Sequence, residues 1–312
     1  MPESPPPLRA PGMSRCGAIR LGLALFAFFP TLAHPPRPAL ADDPRLAVRL
    51  APAEVRQGGV SVLSVKWSSP IRGLRIQVGD REIAAPSPDG RSRWVVLTGI
   101  DLEQRPGPLA IRVEAVDGSG RPLTGQATLR VLDARFPVQR LTVPRPFVEL
   151  DEATLERVNR EKALLDQVWE TLTPERYWRD PFRVPLDGAG PAYGFGLRRI
   201  INGEPRSPHT GADFAASAGA PVRAANAGIV ALVADHFCAG RSVILDHGLG
   251  LYTMYFHLQE SLVQPGQRVE RGQAIARVGS TGRATGPHLH WGARLYGARI
   301  DPQELLKPLP LD

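Results

Sequence analysis

Between residues 43 and 132 apolar and polar positions alternate in short runs. Leu46, Val48 and Leu50 alternate with Ala47 and Arg49, Leu74, Ile76 and Val78 with Arg75 and Gln77, and Leu109, Ile111 and Val113 with Ala110 and Arg112. A period of two places each set on one face of a strand. The turn formers Asp89-Gly90 and Asp117-Gly118 fall between such runs. Short strands recurring between turns predict an immunoglobulin-like β-sandwich, assigned to residues 42–145. This stretch holds no cluster of His, Cys or acidic side chains. Its expected role is structural: a spacer, a binding module, or a cover for a site elsewhere in the chain. Phe136-Pro137 and Val143-Pro144-Arg145-Pro146 then predict a stiff connector rather than core.

The pattern changes period after the prolines. Leu155, Val158, Leu165, Trp169 and Leu172 recur on one helical face behind Asp151, a good N-cap, and Glu152, which complements the first turn. Thr173-Pro174 ends the run. A connecting helix within 146–174 is therefore expected, its apolar stripe packed on one of the two domains and its charged face, with Arg157, Arg160 and Glu161, in solvent. Residues 175–312 return to a β-rich pattern. The predicted fold class is predominantly all-β: an N-terminal sandwich, a connecting helix and a β-rich C-terminal region.

The first 41 residues read differently. Arg15 and Arg20 precede the nine-residue run Leu21 to Phe29, and small-residue sites follow at 31–33 and 39–41. Such a run is short beside the roughly 20 residues of a spanning helix, so a cleaved secretory signal is expected over 1–41, leaving a mature chain from His34 or Asp42 with no stable membrane insertion. Cys16 lies inside this segment, so Cys238 is alone in the mature chain and is expected to be a small buried side chain. The formal charge of +7 comes from 38 basic and 31 acidic residues; without Arg9, Arg15, Arg20, Arg37 and Glu3 it is 34 against 30. That weak basic bias suits an anionic wall or membrane surface. The arginines are scattered rather than massed, which argues against nucleic acid as a partner.

The candidate chemistry is concentrated at two places. Residues 281–290 (TGRATGPHLH) deliver His288 and His290 two positions apart. On a strand both would leave one face, with Leu289 in the opposite layer. Upstream, residues 208–214 (PHTGADF) supply His209 and Asp213, both zinc-ligand types. A straight strand would hold these two about 13 Å apart, so the chain must bend between them, and Gly211 is expected to permit the bend through backbone angles closed to other residues. Spacing alone leaves open which of His288 and His290 would bind a metal. Any single histidine is an ordinary surface or core residue, and His34, His236 and His247 are taken so.

With these motifs in place, the last third of the chain resembles the lysostaphin-type (LytM-like) zinc metallopeptidases, which cut peptide cross-links in bacterial peptidoglycan. The segments 192–199 (AYGFGLRR), 218–225 (AGAPVRAA), 228–230 (GIV), 251–258 (LYTMYFHL) and 269–275 (VERGQAI) follow in that family's order. The resemblance implies a LytM-like peptidase domain, built on a C-terminal antiparallel β-sheet, over 175–312. It implies one catalytic zinc ion held by His209, Asp213 and His290, with His257 and His288 as catalytic non-ligands, and peptidoglycan stem peptides and cross-links as substrate. Three protein ligands would leave a fourth position for water, as in a catalytic site. No His-Glu-x-x-His helix is present, so a glutamate-base mechanism is not expected. Residues 235–241, Phe256 and Trp291 depart from the family's usual residues and are expected to reshape the groove. Two other roles stay open: a non-catalytic relative that activates another wall hydrolase, and a secreted peptidase acting on glycine-rich proteins.

Overall fold

The computed structural model describes residues 45–84, 91–142 and 150–309. The signal segment with His34, the Asp89-Gly90 turn and Pro144 and Pro146 lie outside the described residues. Seven strands come first: β1 (Ala47–Ala51), β2 (Glu54–Arg56), β3 (Val60–Val78), β4 (Arg81–Ala84), β5 (Arg91–Gly99), β6 (Gly107–Asp117) and β7 (Pro122–Leu132). The 19-residue β3 organises them. Its first half pairs with β1 and β5 and its second half with β4 and β6, so the hydrogen-bonded ladder is continuous through one strand. The alternating positions behave as strand periodicity requires: Leu74, Ile76 and Val78 and then Leu109, Ile111 and Val113 point into one core, together with Leu63, Val65 and Leu129. Asp117 turns the β6–β7 hairpin, accepting the Ser119 and Arg121 backbone N–H groups at 2.9 and 3.0 Å.

The connector does more than span. Residues Val138–Leu141 form β8, which pairs in parallel with β9 (Arg198–Ile201), and β10 (Glu204–Arg206) closes a three-stranded sheet on the other side. Phe136 packs edge-on to Phe195, with ring centroids 5.8 Å apart. Between β8 and β9 runs the helix α1 (Glu152–Glu170), whose cap Asp151 accepts the Thr154 N–H at 2.7 Å. Leu165, Val168 and Trp169 pack on Ile244, Tyr252 and Met254, so the apolar stripe lies on the C-terminal sheet. The stripe is incomplete at its start, where Leu155 is 50% exposed.

The C-terminal sheet has nine strands, all antiparallel: β11 (Gly211–Ala215), β12 (Pro221–Arg223), β13 (Gly228–His236), β14 (Gly240–Asp246), β15 (Leu251–Ser261), β16 (Arg268–Val269), β17 (Ala274–Val278), β18 (His288–Leu295) and β19 (Ala298–Ile300). The order is β11-β18-β15-β14-β13-β16, with β17 joining β12 to β15 and β19 beside β18. One core runs from this sheet into the first. Val60 and Leu97 belong to the same cluster as Leu295, Ala298, Ile300 and Leu305, and burial of each Val, Leu or Ile side chain among them contributes roughly 1.5–3 kcal/mol. The Arg299 guanidinium reinforces the contact, donating to both Asp101 oxygens at 2.6 and 3.0 Å. Among the described residues no helix is long and apolar enough to cross a membrane.

Candidate metal centre

β18 lies between β11 and β15, and its register sets the site. Asp213 on β11 pairs with His290, and on the other side His290 pairs with Phe256 of β15. His288 and His290 share a face while Leu289 and Trp291 enter the core, both fully buried. His209 stands just ahead of β11 and is held by a preceding turn: its N–H donates to the Leu197 carbonyl at 2.9 Å and its carbonyl accepts the Gly196 N–H at 2.8 Å. Gly194 is required beneath it, because a Cβ there would meet His209 Nδ1 at 2.9 Å. Tyr193 and Asp213 exchange two backbone hydrogen bonds, which ties the same turn to β11.

Gly211 acts differently from the sequence expectation. It is not among the left-handed glycines of the chain; it is a strand residue opposite Gly292. What excludes a side chain is contact, since a Cβ would stand 2.5 Å from His290 Nε2 and 2.6 Å from the Trp291 carbonyl. The glycine lets the Nε2 edge of the His290 ring approach β11, and the bend comes from His209 being off the strand.

Three donor atoms converge as a result. His290 Nδ1 is 3.0 Å from His209 Nε2 and 3.0 Å from Asp213 Oδ1, and His209 Nε2 is 3.2 Å from Asp213 Oδ1. The chemistry of this set suits zinc, and so does its spacing. Ligands about 2.0–2.1 Å from a tetrahedral ion stand about 3.3 Å from one another. His209 Nδ1 is buried with no hydrogen-bond partner, which leaves its ring unanchored from behind. Burial opposes charge on Asp213, yet the bonds from His209 and His290 outweigh it and hold its carboxyl well below the usual range. Burial also lowers the pKa of His290, keeping its ring neutral and its lone pair available.

His257 and His288 form a second pair, with ring centroids 4.7 Å apart. His288 Nδ1 is 2.8 Å from the Gly286 carbonyl and His257 Nδ1 is 2.9 Å from the Thr281 carbonyl. A carbonyl only accepts, so both Nδ1 atoms carry the proton and each Nε2 is left with its lone pair. His288 Nε2 is 4.0 Å from Asp213 Oδ2, further than any contact within the first three residues. Burial pushes the His257 ring down to about 4. His257 is one of few described non-glycine residues with a left-handed backbone, at φ 61°, where the β14–β15 register slips. That local irregularity turns its side chain toward the other histidines.

These residues line a groove of about 310 Å³, together with Phe256, whose ring stacks on His290 at 5.3 Å and 3°. None of the described lining residues comes from the N-terminal sheet. Cys238 was expected to be buried; it is half-buried on the groove wall. Trp291 was expected to shape the groove and does not, because the strand turns it into the core against Phe214. His236 and His247 are buried away from the groove. The charged helix face also departs from the expectation of plain solvent. Glu161 accepts the Phe237 N–H with both oxygens, at 2.9 and 3.1 Å, and Arg157 donates to the Asp235 carbonyl at 3.0 Å. The helix thereby grips the 237–240 turn, whose Ala239 carbonyl accepts the His257 N–H at 2.8 Å. No sequence signal marked this long-range contact, because an acidic residue on an exposed helix face has an ordinary surface reading.

The description Peptidase family M23 matches residues 207–302. A crystal structure from Pseudomonas aeruginosa, assigned to peptidase M23, is 31% identical and superposes with a TM-score of 0.60 over 80% of this chain and 94% of that one. The chain belongs to peptidase family M23. It is 41% identical over 103 residues to peptidoglycan DD-endopeptidase ShyA of Vibrio cholerae, and 41% identical over 102 residues to DD-carboxypeptidase/endopeptidase Mpg of Neisseria meningitidis. Each match covers 33% of this M23 chain, which spans only 24% of the length of those two proteins.

Proposed function

We propose that this chain is a zinc-dependent endopeptidase of the bacterial cell wall, exported after removal of residues 1–41, which hydrolyses peptide cross-links of peptidoglycan. The boundaries 42–145, 146–174 and 175–312 are its proposed sandwich, connector and peptidase domain. One observation carries the reading: His209 Nε2, Asp213 Oδ1 and His290 Nδ1 meet within 3.0–3.2 Å on the wall of a groove that also holds two oriented imidazoles. We assign the first three as zinc ligands and His257 and His288 as the proton-handling groups. Zinc bound there would supply a Lewis acid able to polarise a peptide carbonyl and to lower the pKa of a water.

The chain's own groups account for the remaining needs of peptide hydrolysis. Asp213 brings a negative charge that balances a cation, and its depressed pKa keeps that charge at neutral pH. His288 and His257, each with Nδ1 tied to a carbonyl, present a fixed Nε2 that can take a proton or, once protonated, donate to the oxyanion of a tetrahedral intermediate. The complete five-residue set favours the enzyme over a metal-free activator, which would need none of these side chains.

Metal analysis of folded single variants tests the assignment. His209→Ala, Asp213→Ala and His290→Ala should lose bound zinc and activity together. His257→Ala and His288→Ala should keep zinc while the rate of muropeptide release falls by about two to four orders of magnitude. Loss of zinc from His288→Ala with retention in His290→Ala reverses the two roles. Full activity and full zinc in both would place the site elsewhere.

A further inference from the structure

Two guanidinium groups border the groove without any task in the fold. Arg199 of β9 and Arg283 of the 279–287 loop both line it, beside His209 and His288. They come from separate elements: β9 leads to His209, whereas the Arg283 backbone N–H is pinned to the Cys238 carbonyl at 2.9 Å. Among the described residues neither side chain has a hydrogen bond or an ion pair. Other arginines of the same domain are engaged. Arg223 is on Asp187, Arg277 on Glu260 and Arg299 on Asp101. The one carboxylate lining the groove, Asp213, is committed to His209 and His290.

The hairpin adds a second, independent sign. Arg199 pairs directly with Arg206 across the β9–β10 ladder. Like charges directly opposite each other on a sheet are destabilising, and although Glu204 lies on the same face two positions from Arg206, neither guanidinium forms an ion pair among the described residues. A cationic wall kept at some cost in stability, beside a reaction centre, fits an anionic group that arrives with the substrate. Arginine matches a carboxylate in two parallel hydrogen bonds, and a groove lined by one sign of charge concentrates the opposite sign.

The geometry points to a carboxylate-binding subsite made by Arg199 and Arg283, so that the peptidase takes peptides with free carboxylates flanking the scissile bond in preference to neutral or glycine-rich ones. The inference rests on the proposed endopeptidase reading and deepens it by naming a substrate class. Arg199 and Arg283 are specificity residues in it and do not touch the reacting atoms.

The test uses zinc-loaded full-length mature protein and one synthetic cross-linked peptide dimer, prepared with its carboxyl groups either free or as primary amides. Cleavage rates and dissociation constants are measured for both forms. Wild type should favour the free acid by about tenfold or more in kcat/KM, the scale of one carboxylate contact. Arg199→Gln and Arg283→Gln should each erode that preference through KM, with kcat and zinc content little changed and an unfolding temperature that is unchanged for Arg283→Gln and slightly raised for Arg199→Gln, where the repulsion from Arg206 is relieved. Equal cleavage of acid and amide by wild type, or an undiminished preference in both variants, overturns the subsite. If neither form is cleaved but the acid binds more tightly and this depends on the two arginines, the subsite stands and the endopeptidase reading falls. No cleavage and no difference in binding would remove both.

Discussion

His257 offers a test in which the usual order of two substitutions reverses. Its φ of 61° is a conformation in which a Cβ crowds the following carbonyl, at a cost of roughly 1–2 kcal/mol. Alanine at this position keeps that cost, whereas glycine removes it. At an ordinary strand position glycine is the less stable of the pair by roughly 0.5–1 kcal/mol, because it loses more backbone freedom on folding. The two terms oppose, and the strain is the larger. His257→Gly should therefore be the more stable variant by about 0.5–1 kcal/mol, the inverse of the ordinary difference. Both variants forfeit the bond from Nδ1 to the Thr281 carbonyl and any proton-handling role, so the comparison isolates the backbone. Thermal unfolding of the two, at matched zinc content, should separate them by about 2–4 °C for each kcal/mol in a chain of this size. Muropeptide release should be equally impaired in both. If His257→Ala proves as stable as His257→Gly or more so, the left-handed backbone is relaxed rather than strained, and the argument that stability is given up here to aim the imidazole fails.

Two further outcomes follow from contacts outside the histidine cluster. Glu161→Ala removes a charged acceptor from the Phe237 N–H, worth about 1.5–3 kcal/mol, while its pair with the half-exposed Arg157 adds little. The unfolding midpoint should fall by about 3–12 °C and the turnover rate should drop with zinc retained; an unchanged rate would show that the helix does not position the 237–240 turn. His247 titrates through burial. Its Nδ1 is 2.7 Å from the Ala227 carbonyl and its Nε2 2.7 Å from the Thr253 hydroxyl, and its pKa is pushed down to about 4. Because the folded value is depressed, the unfolded chain takes up this proton first. The contribution is fully present above about pH 6.5 and is lost as pH falls towards 4, on the order of 3 kcal/mol in all. Urea midpoints measured across that window should fall more steeply for wild type than for His247→Gln, and parallel slopes would refute the assignment.

Strand content was legible because a period of two survives in the sequence wherever one face is buried. Leu109, Ile111 and Val113 announced their common core without any knowledge of what they touch. The pairing of His288 with His290 on one face followed from the same rule, and so did the burial of Leu289. That rule also puts Trp291 in the core, and the expectation that it would shape the groove went wrong by setting likeness to a family above the alternation. Gly211 was recognised as necessary for the wrong reason: a sequence displays a missing side chain but not the ring that fills its place. The grip of Glu161 on Phe237 was invisible, since 76 residues separate the partners and neither belongs to a recurring pattern. The paths of β8 and β9 were hidden as well. A four-residue run of mixed character behind a proline carries no strand signature, and its pairing is decided by where the chain returns to after α1.

That parallel pair has a consequence for how the protein can be divided. Antiparallel neighbours are joined by a short turn, but parallel neighbours need a crossover of a dozen residues or more, here everything between Leu141 and Arg198. A protease nick within the crossover would leave β8 and the sheet before it attached by non-covalent contacts alone, the β8–β9 hydrogen bonds, the Phe136–Phe195 contact and the shared apolar core, so cutting the chain and separating its halves are different events. Removing the first 142 residues altogether would convert β9 from an inner strand into a bare sheet edge next to the groove. Bare edges recruit other chains. A truncated peptidase of this design should thus be adhesive where the whole protein is not, and the connector serves as a seal on a seam as well as a tether between two ends.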